Sequence, residues 1–185
     1  MIYLLRHGLD DERYIGGWSE VSLTLEGIEQ VKRASEFLKT KKDAINKIIS
    51  SDIRRARETA LLVGDSLQKD VEYTKILREL NKGKLNGLLK ETVPCEYEMY
   101  KGNVDIETIY PDGESMKEFY LRIKSSLNEV LSFDNTLLVT HRGVINMLYF
   151  ILNDIELSND KEKFGVTHAS VHELDPVKLT IKRIY

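Results

Sequence analysis

The stretch IYLLRHG, residues 2–8, decides the class of fold that this sequence encodes. Four consecutive apolar residues, 2–5, are typical of a short strand that is buried on both faces. Such strands belong to largely parallel sheets that carry helices on both sides. Arg6, His7 and Gly8 follow directly, at the strand end where open parallel sheets bind their ligands. The stretch therefore predicts both a fold class and the location of a site.

Strand and helix signals alternate along the rest of the chain. Further strands are expected at residues 45–49, 71–76, 136–139, 166–174 and 179–184, the last two on either side of Pro176. Helices are expected at residues 24–39 with Thr24 as N-cap, from a cap at Ser51 or Asp52 to Leu67, at 115–131 and at 144–152. Residues 81–113 indicate loops and short helices. This alternation predicts an α/β fold, a three-layer sandwich with a mostly parallel central sheet flanked by helices.

Composition limits the classes of function. The 185 residues contain no repeat or Pro/Gly linker, which predicts one domain over residues 1–185. With 27 basic and 30 acidic residues, the chain lacks the basic excess of a nucleic-acid binder. No apolar run reaches the length of a membrane span, and residues 1–5 lack the basic leader of a signal peptide. Cys95 is the one cysteine, which fits a reducing compartment. We therefore expect a cytoplasmic protein that binds neither nucleic acid nor membrane.

Histidine and arginine residues gather at three predicted strand ends. Arg6 and His7 follow the first strand, Arg54 and Arg55 the second, and His141 with Arg142 the strand at 136–139. Neutral imidazole can act as a covalent nucleophile. Phosphoryl transfer to it needs positive charge around the phosphoryl oxygens, which arginine supplies as a rigid fork of donors. The three clusters together predict a phosphate site.

The two arginines of the middle cluster are expected to point in different directions. Arginine in the first turn of a helix is mildly unfavourable, because that end of the helix is partially positive. A bound anion would remove the conflict. Helical phasing places Arg54 nearly opposite the apolar stripe of Ala56 and Ala60, where it should face water. Arg55 flanks the stripe and can point toward the sheet edge.

Several motifs in order give the chain a resemblance to a known family. The motifs are LRHG at 5–8, GWS at 17–19 with LTLEG at 23–27, SDIRRARETA at 51–60, DGES at 112–115 and VTHRGVI at 139–145. Together they resemble the histidine phosphatase superfamily, with its phosphoglycerate mutase-like fold, over essentially the whole chain. One departure stands out, since Leu9 and Asp10 replace the glutamate or glutamine and the threonine that are usual after the signature glycine.

The resemblance implies roles for five residues. His7 would accept the phosphoryl group, and Arg6, Arg55 and His141 would hold its oxygens. The motif LREL at 77–80 makes Glu79 the expected proton donor. A surface carboxylate paired with a neighbouring cation is the alternative interpretation of Glu79.

Gly17 and Arg142 are weaker candidates for substrate contact. No metal or cofactor is expected. His168 and His172 would share a face only on a helix, and four residues of strand would separate them by roughly 13 Å. We therefore interpret both as strand residues without a catalytic role.

Three functions follow from these expectations. The first is a metal-independent phosphomonoesterase of the histidine acid phosphatase type, acting on a small phosphorylated metabolite. The second is a phosphoglycerate mutase, because LNGL at 85–88 resembles mutase sequence. Residues 81–110 argue against it, since they are not basic enough to suggest a cap for a doubly charged ligand. The third is an inactive relative that only binds phosphorylated ligands; the presence of His7 and Glu79 argues against it. The sequence predicts no oligomeric state.

Overall fold

The computed structural model describes residues 1–102 and 104–185, and in this part of the chain six strands form one sheet. The strands are β1 (Ile2–Arg6), β2 (Lys47–Ser51), β3 (Val71–Thr74), β4 (Thr136–Thr140), β5 (Val171–Asp175) and β6 (Thr180–Arg183). The α-helices are α1 (Leu25–Lys39), α2 (Arg54–Leu67), α3 (Met116–Ser125), α4 (Leu127–Ser132) and α5 (Arg142–Leu152). Short 3₁₀ helices at Gly83–Leu85, Lys90–Thr92 and Cys95–Tyr100 lie in the region that was expected to hold loops and short helices.

The sheet order is β3-β2-β4-β1-β5-β6, and the first four strands are parallel. β5 and β6 add an antiparallel edge. Successive side chains of β1 point to opposite faces, as strand geometry requires. Leu5 packs with α1 and α2 on one face, whereas Leu4 packs with α3 and α5 on the other. The predicted three-layer α/β sandwich with a mostly parallel sheet is confirmed. Among the described residues, none of the helices combines the length and the apolar character needed to cross a bilayer.

The loop after β1 lies directly on the start of α1. Thr24 caps the helix as expected, and its side chain accepts a hydrogen bond from the Gly27 amide. A Cβ atom on Gly27 would come within 2.1 Å of the Leu9 carbonyl oxygen, and one on Gly8 within 2.5 Å of the Gly27 carbonyl oxygen. Only glycine permits so close an approach. This contact fixes the backbone that follows His7.

Several predicted bounds were wrong by a few residues. The strands expected at 45–49, 71–76 and 179–184 are β2, β3 and β6, at Lys47–Ser51, Val71–Thr74 and Thr180–Arg183. β4 continues one residue beyond the expected 136–139, and α5 begins two residues before the expected 144. The single helix expected at 115–131 divides at Ser126 into α3 and α4. Ser115 caps α3 with a reciprocal bond to Glu118, which accounts for the well-placed start.

The predicted cap of α2 was also wrong. The helix begins after Ile53, whose side chain carries no acceptor. At this helix end the Ser51 hydroxyl accepts only from the Ile53 amide, at 3.3 Å, and so does not cap the first turn. Asp52 forms a bidentate pair with Arg78, with both distances at 2.6 Å. Ser51 contacts His141. Long-range partners have therefore taken the groups that the local pattern assigned to the helix end.

The strand expected at 166–174 begins only at Val171. Residues 167–170 form a turn in which Ala169 has φ of +54° and the Ser170 amide donates to the Thr167 carbonyl at 3.1 Å. The Ala169 amide also donates to the His7 carbonyl at 3.2 Å. The turn thereby docks on the end of β1, so the interpretation of His168 as a strand residue was wrong.

Candidate active site

His7 lies at the carboxyl end of β1 and is 4% exposed. Its backbone is held on both sides, because its amide donates to the Thr140 carbonyl at 2.9 Å and its carbonyl accepts from Ala169. The ring Nδ1–H donates to the Gly8 carbonyl at 2.7 Å, and Nε2 accepts from Arg55 Nε at 3.1 Å. These partners fix a neutral tautomer with its lone pair on Nε2. Burial, followed by the positive charge of Arg55, holds the pKa of His7 well below its ordinary value.

Arg55 is buried beside His7, with 2% of its surface exposed. Besides His7, its guanidinium donates to the Ser19 hydroxyl at 3.1 Å and to the Gly17 carbonyl at 2.8 Å. Arg54 lies on the solvent-facing side of α2, where its exposed side chain pairs with Glu58 at 2.9 Å. The orientations predicted from helical phasing for both arginines are confirmed.

Arg6 supplies the second buried guanidinium. Its Nη1 donates to the Val166 carbonyl at 2.8 Å and its Nη2 to His168 Nε2 at 2.5 Å. Its Nε is buried, and none of the described residues provides it with a partner. Burial lowers the pKa of Arg6 to about 10, so the group remains a cation at neutral pH. Burial and Arg6 lower the pKa of His168 to about 3, which keeps that ring neutral and able to accept.

His141 follows β4 and approaches His7 edge-on, with 5.2 Å between the ring centroids. Its Nε2 lies 2.9 Å from the Ser51 hydroxyl. Its Nδ1 is buried and finds no hydrogen-bond partner in residues 1–102 or 104–185. Buried polar atoms without a partner, as on Arg6 and His141, are expected of groups that form hydrogen bonds to a bound ligand.

Glu79 lies in the same cavity, which has a volume of about 380 Å³. One carboxylate oxygen accepts from the Leu80 amide at 2.9 Å, and the other from the Gly143 amide at 3.0 Å. A Cβ atom on Gly143 would stand 1.9 Å from the first of these oxygens. The glycine of the motif at 139–145 therefore makes room for the carboxylate of another motif.

Asp10 places a carboxylate next to the arginines. One of its oxygens lies 3.4 Å from Arg55 Nε, and burial raises the pKa of this carboxyl above its ordinary value. Ligating atoms of Asp10, His7 and His168 all fall within 4.8 Å of one another, a geometry that a metal ion could use. However, Arg55 or Arg6 already contacts each of the three, so a cation would meet two guanidinium groups at this point. The charge favours an anion instead.

A sequence model of the protein family described as histidine phosphatase superfamily (branch 1) matches residues 2–183 of the chain. The chain belongs to the histidine phosphatase superfamily.

Relatives of this superfamily member include both mutases and phosphatases. It is 34% identical over 149 residues to a probable phosphoglycerate mutase GpmB of Citrobacter koseri, covering 76% of this chain and 68% of the relative. It is 26% identical to a mycobacterial glucosyl-3-phosphoglycerate phosphatase solved with VO3, covering 94% and 92% of the two chains at a TM-score of 0.76. A putative alpha-ribazole-5'-P phosphatase of Escherichia coli K-12 shares the fold at 22% identity, covering 99% and 93% at a TM-score of 0.81.

The two weaker candidates of the superfamily site lie where substrate contact is feasible. Gly17, with φ of +69°, lines the cavity and presents its carbonyl to Arg55. Arg142 is the first residue of α5 and pairs with Glu162 at 2.6 Å beside the same cavity.

Sequence reasoning missed four residues that support this superfamily site. Thr59 was present in the motif at 51–60; its hydroxyl accepts from the Gly8 amide at 3.2 Å and donates to the Arg55 carbonyl at 2.8 Å. Ser19 likewise lay within a quoted motif. His168 had no local signal, because it reaches the site through the turn before β5. Ser51 had been assigned to a helix cap.

We expect the stability of this superfamily member to fall as the pH falls below 6.5. The chain has four histidines, and each has a folded-state pKa below the ordinary 6.5. Below pH 6.5 the unfolded chain therefore binds protons that the folded chain does not. Each histidine then removes up to about 1.4 kcal/mol of unfolding free energy per pH unit. Asp10, whose pKa is raised, acts in the opposite direction but is one group against four.

Urea unfolding at pH 7, 6 and 5 measures this slope. The variant His168→Asn, in which an amide oxygen can still accept from Arg6, should show a slope smaller by about 1.4 kcal/mol per pH unit. Unfolding free energy that stayed constant or rose toward pH 5 would contradict the neutral state of the buried histidines.

The two neighbouring arginines should differ sharply in their effect on turnover. Arg55→Ala removes a buried charged donor beside His7 and should lower kcat/KM for a phosphate ester by about two to three orders of magnitude. Arg54→Ala removes an exposed side chain and should change kcat/KM by less than about twofold. Steady-state kinetics with circular dichroism of both variants provides the comparison. A larger loss from Arg54→Ala would show that the wrong arginine has been assigned.

Proposed function

We propose that this protein is a phosphomonoester hydrolase that works through a phosphohistidine intermediate on His7. The observation that carries the proposal is the neutral His7 ring, whose Nε2 lone pair lies among the buried guanidinium groups of Arg6 and Arg55. A phosphoryl group entering this space would replace the bond between Arg55 and His7. The guanidinium groups would then bind the phosphoryl oxygens.

In the first step, Nε2 of His7 forms a bond to phosphorus and the ester P–O bond breaks on the opposite side. Arg6, Arg55 and His141 stabilise the charge on the oxygens of the transferring group. Glu79, in its protonated form, gives its proton to the departing alcohol oxygen. The positive charge comes from the arginines, so the step requires no metal ion.

In the second step, water attacks the phosphohistidine while Glu79 accepts a proton from it. The N–P bond breaks, inorganic phosphate leaves, and Glu79 is again protonated for the next cycle. The amides of Leu80 and Gly143 support this assignment, since they hold both carboxylate oxygens at one place in the cavity. A fixed position is what a group that reverses its role needs.

A phosphoglycerate mutase is the second candidate, because the curated relatives carry that description. It would use the same intermediate and return the phosphoryl group to a sugar acid instead of water. Measuring phosphate release against phosphoglycerate isomerisation with the purified protein separates the two. A purely binding relative has less support, because nucleophile, arginines and carboxylate are all in one cavity.

The proposal predicts that the intermediate accumulates when Glu79 is replaced. Glu79→Gln should slow phosphorylation by an alkyl phosphate far more than by p-nitrophenyl phosphate, because the phenolate leaves without a proton. The variant also lacks the base for hydrolysis, so labelled protein should persist. Rapid-quench trapping of labelled phosphate on the protein measures both effects, and His7→Ala is the control that should trap none. Equal slowing with both substrates and no trapped label would place the proton donor elsewhere.

A further inference from the structure

The cavity extends well beyond the space between His7 and the two arginines. One wall comes from residues 80–90, and the other from α5 with residues 158–161. Lysines project from both walls: Lys82 and Lys90 from the first, and Lys161 from the second, next to Arg142. The two walls meet at Glu79, so their charge surrounds the position of the leaving group.

Lys82 is a half-buried cation in a fixed position. Its backbone amide donates to Asn86 Oδ1 at 3.1 Å, and its ammonium lies 5.8 Å from the centre of the Tyr110 ring. Within residues 1–102 and 104–185 it forms no ion pair. Burial, followed by the charge of Lys161, lowers the pKa of Lys82 to about 8. Lys161, Lys90 and Arg142 lower the pKa of Lys82, and the carboxylate of Glu79 raises it. A buried cation that faces more cations than carboxylates costs free energy, which an anionic ligand would offset.

The second wall brings further positive charge to the same space. Burial, followed by the charge of Arg142, lowers the pKa of Lys161. The Lys161 carbonyl accepts from Asn146 Nδ2 at 3.0 Å, so the segment that carries Lys161 is attached to α5. Arg142 lies one turn before Asn146 on the same face of that helix. The lysine and the arginine are therefore held side by side.

Two buried polar atoms on this second wall lack partners among the residues that the structure describes. They are Asn146 Oδ1 and the Ser158 hydroxyl, and both side chains line the cavity. Asn146 is 4% exposed, and its bond to Lys161 leaves the amide oxygen as the unpaired acceptor. An unpaired acceptor and an unpaired hydroxyl in the lining of one cavity suit a hydroxyl group on the ligand.

Apart from Glu79, the carboxylates near the walls are engaged elsewhere or lie at the rim. Glu162 pairs with Arg142 at 2.6 Å. Asp105 accepts from the Glu107 amide at 2.9 Å, and Asp160 from the Glu162 amide at 3.0 Å, each within its own turn. Asp10 lies against Arg55. Glu12 lies on the exposed rim.

We propose that Lys82 and Lys161 form a second anion subsite, which selects phosphomonoesters whose alcohol part carries a carboxylate or a second phosphate. The reacting phosphoryl group binds at Arg6 and Arg55, the second anionic group lies between the two lysines, and a hydroxyl group bonds Asn146 and Ser158. The inference rests on the proposed hydrolase function and names its substrate class. Composition of residues 81–110 had argued against a doubly charged ligand. The two walls join segments that are distant in the sequence, which that composition could not indicate.

A different role for the lysines would be to act on Glu79, because both of them face its carboxylate. The two roles differ in their dependence on substrate. Lysines that act through Glu79 alter the turnover of every alkyl phosphate alike. Lysines that bind a second anionic group affect only the substrates that carry one.

The test compares matched substrates. Phosphate release is measured with glycerol 3-phosphate and 3-phosphoglycerate. The first carries a hydroxymethyl group at the position where the second carries a carboxylate. Fructose 6-phosphate and fructose 1,6-bisphosphate test a second phosphate in the same way. The variants are Lys82→Gln, Lys161→Gln and the double variant, with Lys84→Gln as the matched control, since Lys84 pairs with the exposed Asp112 outside the cavity.

The wild-type protein should prefer the substrate with the second anionic group in at least one pair by about tenfold or more in kcat/KM. Lys82→Gln should remove most of that preference, because it should lower kcat/KM for the substrate with the second anionic group at least about fivefold more than kcat/KM for glycerol 3-phosphate. Lys84→Gln should preserve it. A wild type without preference, or an equal loss with all substrates, would overturn the subsite.

Failure of the hydrolase proposal remains distinguishable from failure of the subsite. If no ester is hydrolysed, calorimetric binding of glycerol 3-phosphate and 3-phosphoglycerate gives the same comparison without turnover. Tighter binding of the carboxylate, abolished by Lys82→Gln, would support the subsite even then. Equal affinities would overturn it.

Discussion

The site depends on two guanidinium groups, Arg6 and Arg55, that are buried beside one neutral imidazole. Burying these cations is costly unless their donors are satisfied, and the carbonyl oxygens of Gly17 and Val166 satisfy two of them. Burial, followed by the positive charge of Arg55, lowers the pKa of His7, which keeps the ring unprotonated and leaves its Nε2 lone pair available. In the proposed mechanism, one electrostatic arrangement would thus attract the phosphate and preserve the nucleophile. The sheet edge and the glycine contact between α1 and the loop after β1 serve to hold this arrangement in place.

Asp10 adds a negative charge beside the two buried guanidinium groups. The carboxylate stands 3.4 Å from Arg55, in a position where the family usually has a neutral threonine. It offsets part of the arginine charge when no ligand is bound. A phosphate that takes its place must compete with it, or must bind while Asp10 is protonated, which its raised pKa favours. If the site binds phosphate as proposed, its affinity would therefore be set by a balance between two anions.

The features that the sequence predicted correctly are those with local causes. Thr24 caps α1 because the capping bond spans three residues, and Arg55 points inward because helical phase decides it. The errors arose where distant groups intervene. Asp52 pairs with Arg78 and therefore does not cap α2. The turn that carries His168 depends on its contact with the His7 backbone. The sequence did not predict Lys161 as a site residue for the same reason, since only the folded chain brings it toward Lys82.

The contact between Gly143 and Glu79 links two positions that are 64 residues apart. A Cβ atom at position 143 would occupy the space of the carboxylate oxygen, so any larger residue there must displace the side chain of Glu79. The two positions are thus epistatic: a shorter residue at 79 would remove the clash with the carboxylate, and the Phe119 ring, 2.9 Å from the same Cβ position, would still have to shift. In a mutagenesis library or an evolving lineage, the accessible route would lead through loss of the carboxylate first. The glycine at position 143 is consequently the residue that leaves room for a glutamate at position 79.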